Sequence, residues 1–466
     1  MADADIKRMT VPFRVTDPER ISSKRYYDEE FYQLENEKLW PHVWQMACRL
    51  EQIPNVGDYV EYSNLGKSVI VVRTKAGVKA YHNVCRHRGV ALAESGEHGN
   101  CKTQGFICPF HGWRWDMDGK NTFVYGRHLF DERQLDQADI ALKTCRVEEA
   151  LGCAFINWDD DAPSFRDSIG PLVDRLDAHN VPKLRAEWWY STTLPSNWKL
   201  AMEAFMEGYH VMRTHPQLQA ANAVLYNSMY GQEPRSMAMA DNQLSLRENI
   251  DAQLEHMELI HSGMGGMIAR KEVEIARSLA DVDVPGEPRD AILMWLGMVQ
   301  DQITKRLGAL GEPVPDLNAV AVSDPLAAVE FIFPHFFLLP FFSNMSSYRI
   351  RPNGPESCIF ELWSLTFYPE GEEPEAVMEP IVLPYDSKEY PQIPQQDYSN
   401  IPRQQIGLHG GGFEFMRLGK HVEGLISNYH RVIDGYLGGN VPADRLAKAQ
   451  HVLGGNFDGP IHDVGF

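Results

Sequence analysis

Between positions 85 and 113 the chain reads CRHRGVALAESGEHGNCKTQGFICPFHGW, and this stretch holds two metal-ligand pairs, Cys85-x-His87 and Cys108-x-x-His111. Twenty residues separate His87 from Cys108. Two thiolates and two imidazoles brought together can hold zinc, or a two-iron, two-sulfur cluster with mixed ligands. Each pair contributes one Cys and one His, an arrangement that gives one iron two thiolates and the other two imidazoles. Both pairs follow strand-like runs, SVIVVRT and VKAYHNV before the first and TQGFI before the second. These features favour the cluster over zinc. Neutral imidazoles in place of thiolates make such a cluster less negative and raise its potential. Pro109 and the glycines Gly89 and Gly112 are expected to shape the ligand loops, and backbone N–H groups there to bond the sulfur atoms. Cys101, inside the spacer, has no His at short spacing and reads as a structural thiol.

A second constellation lies in NWKLAMEAFMEGYHVMRTHP, with Glu203, Glu207, His210 and His215 as candidate ligands. A helical residue turns about 100°. Glu207 and His210 therefore share a face, whereas His210 and His215 would point about 140° apart. Pro216 disfavours helical geometry at His215. The helix is expected to end there and let His215 swing back toward the same metal. The competing reading is a set of scattered histidines on a core-packed helix.

The flanks CRHRG and CPFHGW resemble the signature of a Rieske iron–sulfur domain, as found in ring-hydroxylating oxygenases. The spacer is slightly longer than that family's, and SGEHGN (95–100) reads as a loop insertion. The run NWK, then Glu, then E-x-x-H-x4-H before a proline resembles the catalytic motif of the same family's large (alpha) subunits. The resemblance implies a [2Fe-2S] Rieske cluster on Cys85, His87, Cys108 and His111. It also implies a mononuclear non-heme Fe(II) held by two histidines and a later aspartate, with positions left open for O2. His210 and His215 take the first two places. Asp397, in QQDYSNIPRQQIGL, is the candidate third ligand, after the sheet strands and before the last helix, against the competing reading of a solvated loop aspartate; Gln405 follows it as in the family, and Asp386 is the runner-up. Glu207 stands where many members carry an aspartate that bridges the iron histidine to a Rieske histidine across a subunit boundary. Ala204 replaces the usual Asn. His335, in an apolar strand, reads as a core histidine.

Those residues need elements to position them. Hydrophobic residues make up 44% of 466 positions, enough core for two or three domains. The expected organisation is an N-terminal arm and helix over 1–44 and an all-β Rieske domain over 45–160. A catalytic domain follows over 161–466, in which 217–325 is a helical insertion that lines or lids the substrate cavity. Alternating runs such as DYVEYS predict half-buried strands. VEFIFPHFFLLPFFSNMSSYRIRP and SCIFELWSLTFYP predict neighbouring strands. Helical patterns fall at 169–181, 245–261, 264–280, 288–309 and 413–438. The fold class is α+β, and the resemblance implies an antiparallel sheet wrapped around helices, a START-like helix grip.

The net charge of −20 excludes a nucleic-acid partner and leaves room for a basic electron donor. Seven cysteines without a regular framework argue against a secreted disulfide scaffold. The start lacks a signal-peptide core, and the most apolar run, 331–342, is too short to span a bilayer and carries prolines, so a cytoplasmic protein off the membrane is expected. No flavin or nicotinamide signature is present, since the glycines of LHGGGF follow no strand. The resemblance thus implies a separate reductase and a ferredoxin, a homotrimer or an α3β3 assembly with a beta subunit, and O2 with a small apolar, aromatic substrate. Ring hydroxylation, cis-dihydroxylation first, is the expected reaction, with monooxygenation or demethylation as the alternative. A Rieske electron carrier whose second domain has lost its iron is the competing class.

Overall fold

The computed structural model describes residues 10–230, 239–455 and 459–466. Two sheets carry the architecture. The first has seven antiparallel strands in the spatial order Gln45–Arg49, Cys153–Asn157, Thr144–Ala150, Gly77–His82, Lys67–Thr74, Asp58–Asn64 and His98–Asn100. The alternation in 58–74 produces the 58–64/67–74 hairpin, with Val69 and Val71 buried on one face and Ile70 and Val72 on the other. The last of the seven strands corrects the expected loop insertion. Half of SGEHGN pairs with Asp58–Val60 and extends the sheet. A separate three-stranded sheet of Phe106–Ile107, Arg114–Trp115 and Asn121–Phe123 carries the second ligand pair.

The second large sheet has six strands in the order Glu330–Ile332, Phe336–Pro340, Met345–Gly354, Ser357–Thr366, Arg185–Leu194 and Ile381–Val382. All pair antiparallel except the last, which runs parallel to Arg185–Leu194. The apolar run 331–342 thus forms two buried strands, as its prolines and length predict. Side chains alternate across such a sheet. One face presents Tyr348 and Phe360 to Phe205 and Tyr398. The other packs on the first sheet, where Arg349 donates to the carbonyls of Met46 and Ala47 and pairs with Glu361. His335 is fully buried at the same seam and accepts from the Met46 N–H at 3.1 Å, the core role expected of it.

Helices fill the first face. Leu246–Met264 begins with a Ser245/Glu248 capping box and ends on Gly265 in the left-handed region. Pro288–Ala309 starts on a proline, where no N–H partner is lost. The expected final helix is shorter than its pattern, Gly424–Gly438, because Phe415–Arg417 is drawn off to pair with Arg20–Ser22. The N-terminal helix Glu29–Lys38 is capped by Asp28, and its Phe31 shares a core with Trp198 and Tyr429. No helix among the described residues is long and apolar enough to cross a membrane.

Candidate metal centres

The two cluster loops are built on one hydrogen-bond frame. Cys85 N–H donates to Val90 O at 2.7 Å and Gly89 N–H to Cys85 O at 3.0 Å. In the second loop Cys108 N–H donates to Trp113 O at 2.9 Å and Gly112 N–H to Cys108 O at 3.0 Å. Each loop closes on a glycine four residues after its cysteine, at φ +80° for Gly89 and +70° for Gly112, where a side chain would be strained. His87 and His111 project from these loops with ring centroids 4.7 Å apart. Trp113 stacks on His87 at 4.9 Å and 7°.

Cys85 and Cys108 are buried, and the Nδ1 atoms of both His87 and His111 are buried without a hydrogen-bond partner. Buried ring nitrogens with nothing to bond are costly unless a ligand takes them. Burial raises the Cys85 thiol, backbone N–H groups of His87 and Arg88 act against that, and the adjacent Cys108 raises it further. Two sulfur and two nitrogen donors turned inward fit a mixed-ligand cluster. Cys101 is buried in the core that Trp115 shares and joins neither pair.

The second centre departs from the expected single helix. Trp198–Glu203 stops one residue before Ala204, and Val211–Thr214 is a separate turn capped by His210. Pro216 then opens the helix Pro216–Ala221, and His215 before it takes φ −118°, ψ 61°, the non-helical backbone that a following proline imposes. Asn197 caps the first helix, and its N–H donates to Gln405 Oε1 at 2.8 Å, which ties that helix to Gln392–Leu408. Asp397 is on this last helix and buried, not the solvated loop aspartate of the competing reading.

His210, His215 and Asp397 come together, with one ligand atom from each within 4.8 Å of the others. His215 Nε2 lies 3.1 Å and His210 Nε2 3.9 Å from Asp397 Oδ1. Each ring is held from behind. His210 Nδ1 is 2.8 Å from Glu207 Oε1, and His215 Nδ1 is 2.7 Å from Gln396 Oε1. Oxygen acceptors at Nδ1 place a proton there and turn the Nε2 atoms toward Asp397. Burial would lower His210, but the Glu207 hydrogen bond and charge, with Asp397, outweigh it and raise the ring to about 9. The position thus favours a cation. Two imidazoles and one carboxylate on one side are the facial donor set of a non-heme iron site.

Of the other sequence candidates, Asp386 sits exposed in a turn and joins no ligand group among the described residues. Glu203 turns away, toward Tyr26 and His430. Gln396 escaped the sequence reading, although its place beside Asp397 is the signal that could have found it. A cavity of about 490 Å³ opens on Glu203, Glu207, His210 and Asp397, with Phe413 and Met416 opposite. The described part of 217–325 gives it no wall.

The chain was then compared with known proteins. The family model described as "Ring hydroxylating alpha subunit (catalytic domain)" matches residues 179–439, and that described as "Rieske [2Fe-2S] domain" matches 43–124. Among curated relatives, the carnitine monooxygenase oxygenase subunit of Escherichia coli is 31% identical over 202 residues, which cover 42% of this chain and 52% of the relative. The chain thus spans about half the length of that relative. Biphenyl dioxygenase subunit alpha of Paraburkholderia xenovorans is 26% identical over 361 residues, 74% of this chain and 70% of the relative. Among solved structures, naphthalene 1,2-dioxygenase with indole bound aligns at a TM-score of 0.62 and 19% identity, over 96% of this chain and 98% of the other. A quaternary ammonium Rieske monooxygenase in complex with L-carnitine aligns at 0.56 and 16% identity, over 92% and 99%.

Proposed function

The chain belongs to the ring-hydroxylating oxygenase alpha-subunit family and carries its Rieske [2Fe-2S] domain, and we propose that it is the terminal oxygenase component of a multicomponent system. Cys85, His87, Cys108 and His111 hold the cluster, and His210, His215 and Asp397 hold the mononuclear iron that the family's catalytic domain binds. The division is an arm over 1–44, the Rieske domain over 45–160 and the catalytic domain over 161–466. When bound, the two groups supply one-electron transfer and the reduction of O2 beside a substrate. The observation that carries the proposal is the convergence of His210, His215 and Asp397, each ring held at Nδ1 with its Nε2 turned to Asp397.

The side chains do the positioning. Glu207 fixes the His210 ring and also accepts the His210 backbone N–H at 2.8 Å. Each carboxylate oxygen keeps a further lone pair. Because Glu207 lines the cavity, it can take the N–H of a cluster histidine from a neighbouring copy. This makes it the inter-subunit electron bridge of a trimer, with or without a beta subunit. The electrons come from a separate reductase, directly or through a ferredoxin. Phe205, Phe337, Tyr348 and Phe360 pack together in the core behind the site, and Phe360 packs on Tyr398, the neighbour of Asp397. An apolar aromatic substrate and ring cis-dihydroxylation are the first reading, supported by the similarity to a biphenyl dioxygenase alpha subunit over 74% of this chain. The 31% identity to a carnitine monooxygenase subunit favours a second reading, monooxygenation or demethylation. The proposed setting is the cytoplasm.

Iron and acid-labile sulfide analysis of anaerobically purified protein tests the reading. About three irons and two sulfides per chain are expected, with a mixed-ligand cluster signal in the reduced protein. Zinc without sulfide would overturn it. Two irons and two sulfides, with no O2 uptake after ferrous iron is added, would leave an electron carrier.

A further inference from the structure

Behind the cavity wall lies a buried set of charges that the ligand geometry does not use. Arg25, Tyr26, Glu35, Lys199, Glu203, His430 and Asp434 are all at least nine-tenths buried. Arg25 donates to Asp434 Oδ1 at 2.6 Å, and Lys199 donates to both oxygens of Glu35 at 2.7 and 2.9 Å. Each pair is neutral in itself, and Glu203 is left over. Its donors are Tyr26 Oη, 3.0 Å from both carboxyl oxygens, and His430 Nε2, 2.7 Å from Oε1.

His430 cannot serve as the missing cation. Arg25 Nε–H points at His430 Nδ1 from 3.0 Å, so Nδ1 must accept, and the ring keeps its single proton on Nε2. Burial, with Arg25 and Lys199 nearby, drives His430 well below the usual histidine range. An ionised Glu203 would therefore be a buried carboxylate with two neutral donors and no cation of its own, a costly state. From the cavity side Glu423 adds negative charge to Glu203, and although Arg417 and His210 line the same cavity beside Glu207 and Asp397, neither bonds the Glu203 carboxyl.

We propose that Glu203 is carried as a neutral carboxylic acid in the cavity wall and gives its proton to the cavity in which O2 is reduced. The proposal rests on the oxygenase reading above. Burial outweighs the Tyr26 hydrogen bond and the Lys199 and Arg25 charges, and pushes the Glu203 carboxyl up to about 8. Insertion of both atoms of O2 with two electrons from the external donor takes up two protons. Glu203 supplies one when its O–H bond breaks and the proton passes to cavity water. The carboxylate left behind keeps the N–H of His430 and the O–H of Tyr26. The second proton comes from bulk solvent through the cavity mouth, and a third relayed by water along the same route reprotonates Glu203, which is unchanged over a turnover.

Infrared spectra of the iron-loaded protein test the state directly. The carbonyl band of a protonated carboxyl is expected at neutral pH, lost on titration through about 8 and absent in Glu203→Gln. Single turnovers of pre-reduced protein test the hand-over. Glu203→Gln should slow product formation about a hundredfold, the usual worth of a positioned acid, and lose the alkaline limb of the pH profile while iron and sulfide contents hold. Tyr26→Phe removes a donor from the carboxylate and should move both the band and the limb to higher pH. It carries the test alone if Glu203→Gln fails to fold. A wild-type protein without the band at neutral pH, or profiles that neither variant moves, overturns the proposal. If the band titrates but iron-loaded wild type takes up no O2, the oxygenase reading fails and the hand-over with it; uptake without the band sinks the Glu203 proposal alone.

Discussion

In the cluster loops all four candidate ligands lie within 27 residues of chain, on two turns with the same hydrogen-bond frame. At the other centre His210 and His215 come from two short helical pieces, and Asp397 from a helix that begins at Gln392. The first site is set by local geometry. The second depends on distant elements meeting, and on Glu207, Gln396, Asn197 and Gln405 to hold them. The difference shows where each should break. The loops should fail through their own turns, and the helical site through partners that touch no metal.

The largest effects should separate the two sites. His210→Ala is expected to abolish oxygenation and lose one iron per chain while the cluster signal stays, and Cys108→Ser to lose the cluster while ferrous iron still binds. Iron and sulfide analysis with spin resonance reads both. Loss of both signals in either variant would collapse the distinction. Next comes the seam between the sheets. Burial would raise Glu361, but Arg349 and Arg351 win and hold it at about 2, so its contribution is full above the ordinary 4.5 and is lost as pH falls toward 2. Glu361→Gln leaves two arginines without their carboxylate and should cost about 3–5 kcal/mol in chemical denaturation. Gln396→Ala should weaken iron binding about 10–100-fold, the usual effect of losing an outer partner of a ligand histidine, and leave the cluster unchanged. The smallest effect is expected from Gly112→Ala. The space around its Cβ is open, so only the left-handed backbone is penalised, by about 1–2 kcal/mol. A more labile cluster with intact iron binding would show it.

The same contrast explains what could be read from the sequence. The cluster stretch is legible because its ligands, its glycines and the strands before them are contiguous. His215 was reachable through Pro216, a local rule. The break after Glu203 was not, since nothing in MEAFMEGYH outranks its helical periodicity. Asp397 could be named only by resemblance, and its helix was not predicted because Pro391, Pro394 and Pro402 break the helical pattern. In the structure Pro391 caps the helix and Pro394 lies in its first turn, where no N–H partner is needed, so only Pro402 sits in the interior. SGEHGN gave no strand signal because its short strand is recruited by an open sheet edge. Gln396 and the Glu203 pocket are products of tertiary packing and left no motif.

The seam at Arg349 has a consequence for cooperativity. A guanidinium that bonds the carbonyls of Met46 and Ala47 while paired to Glu361 joins two β-sheets through groups that neither could satisfy alone. His335 adds a second tie, to the Met46 N–H. The iron–sulfur module and the body that carries it should therefore melt in one calorimetric transition, and limited proteolysis should release no free module. A graft of this module onto another oxygenase would have to bring the 345–366 hairpin with it, because the two are halves of one unit.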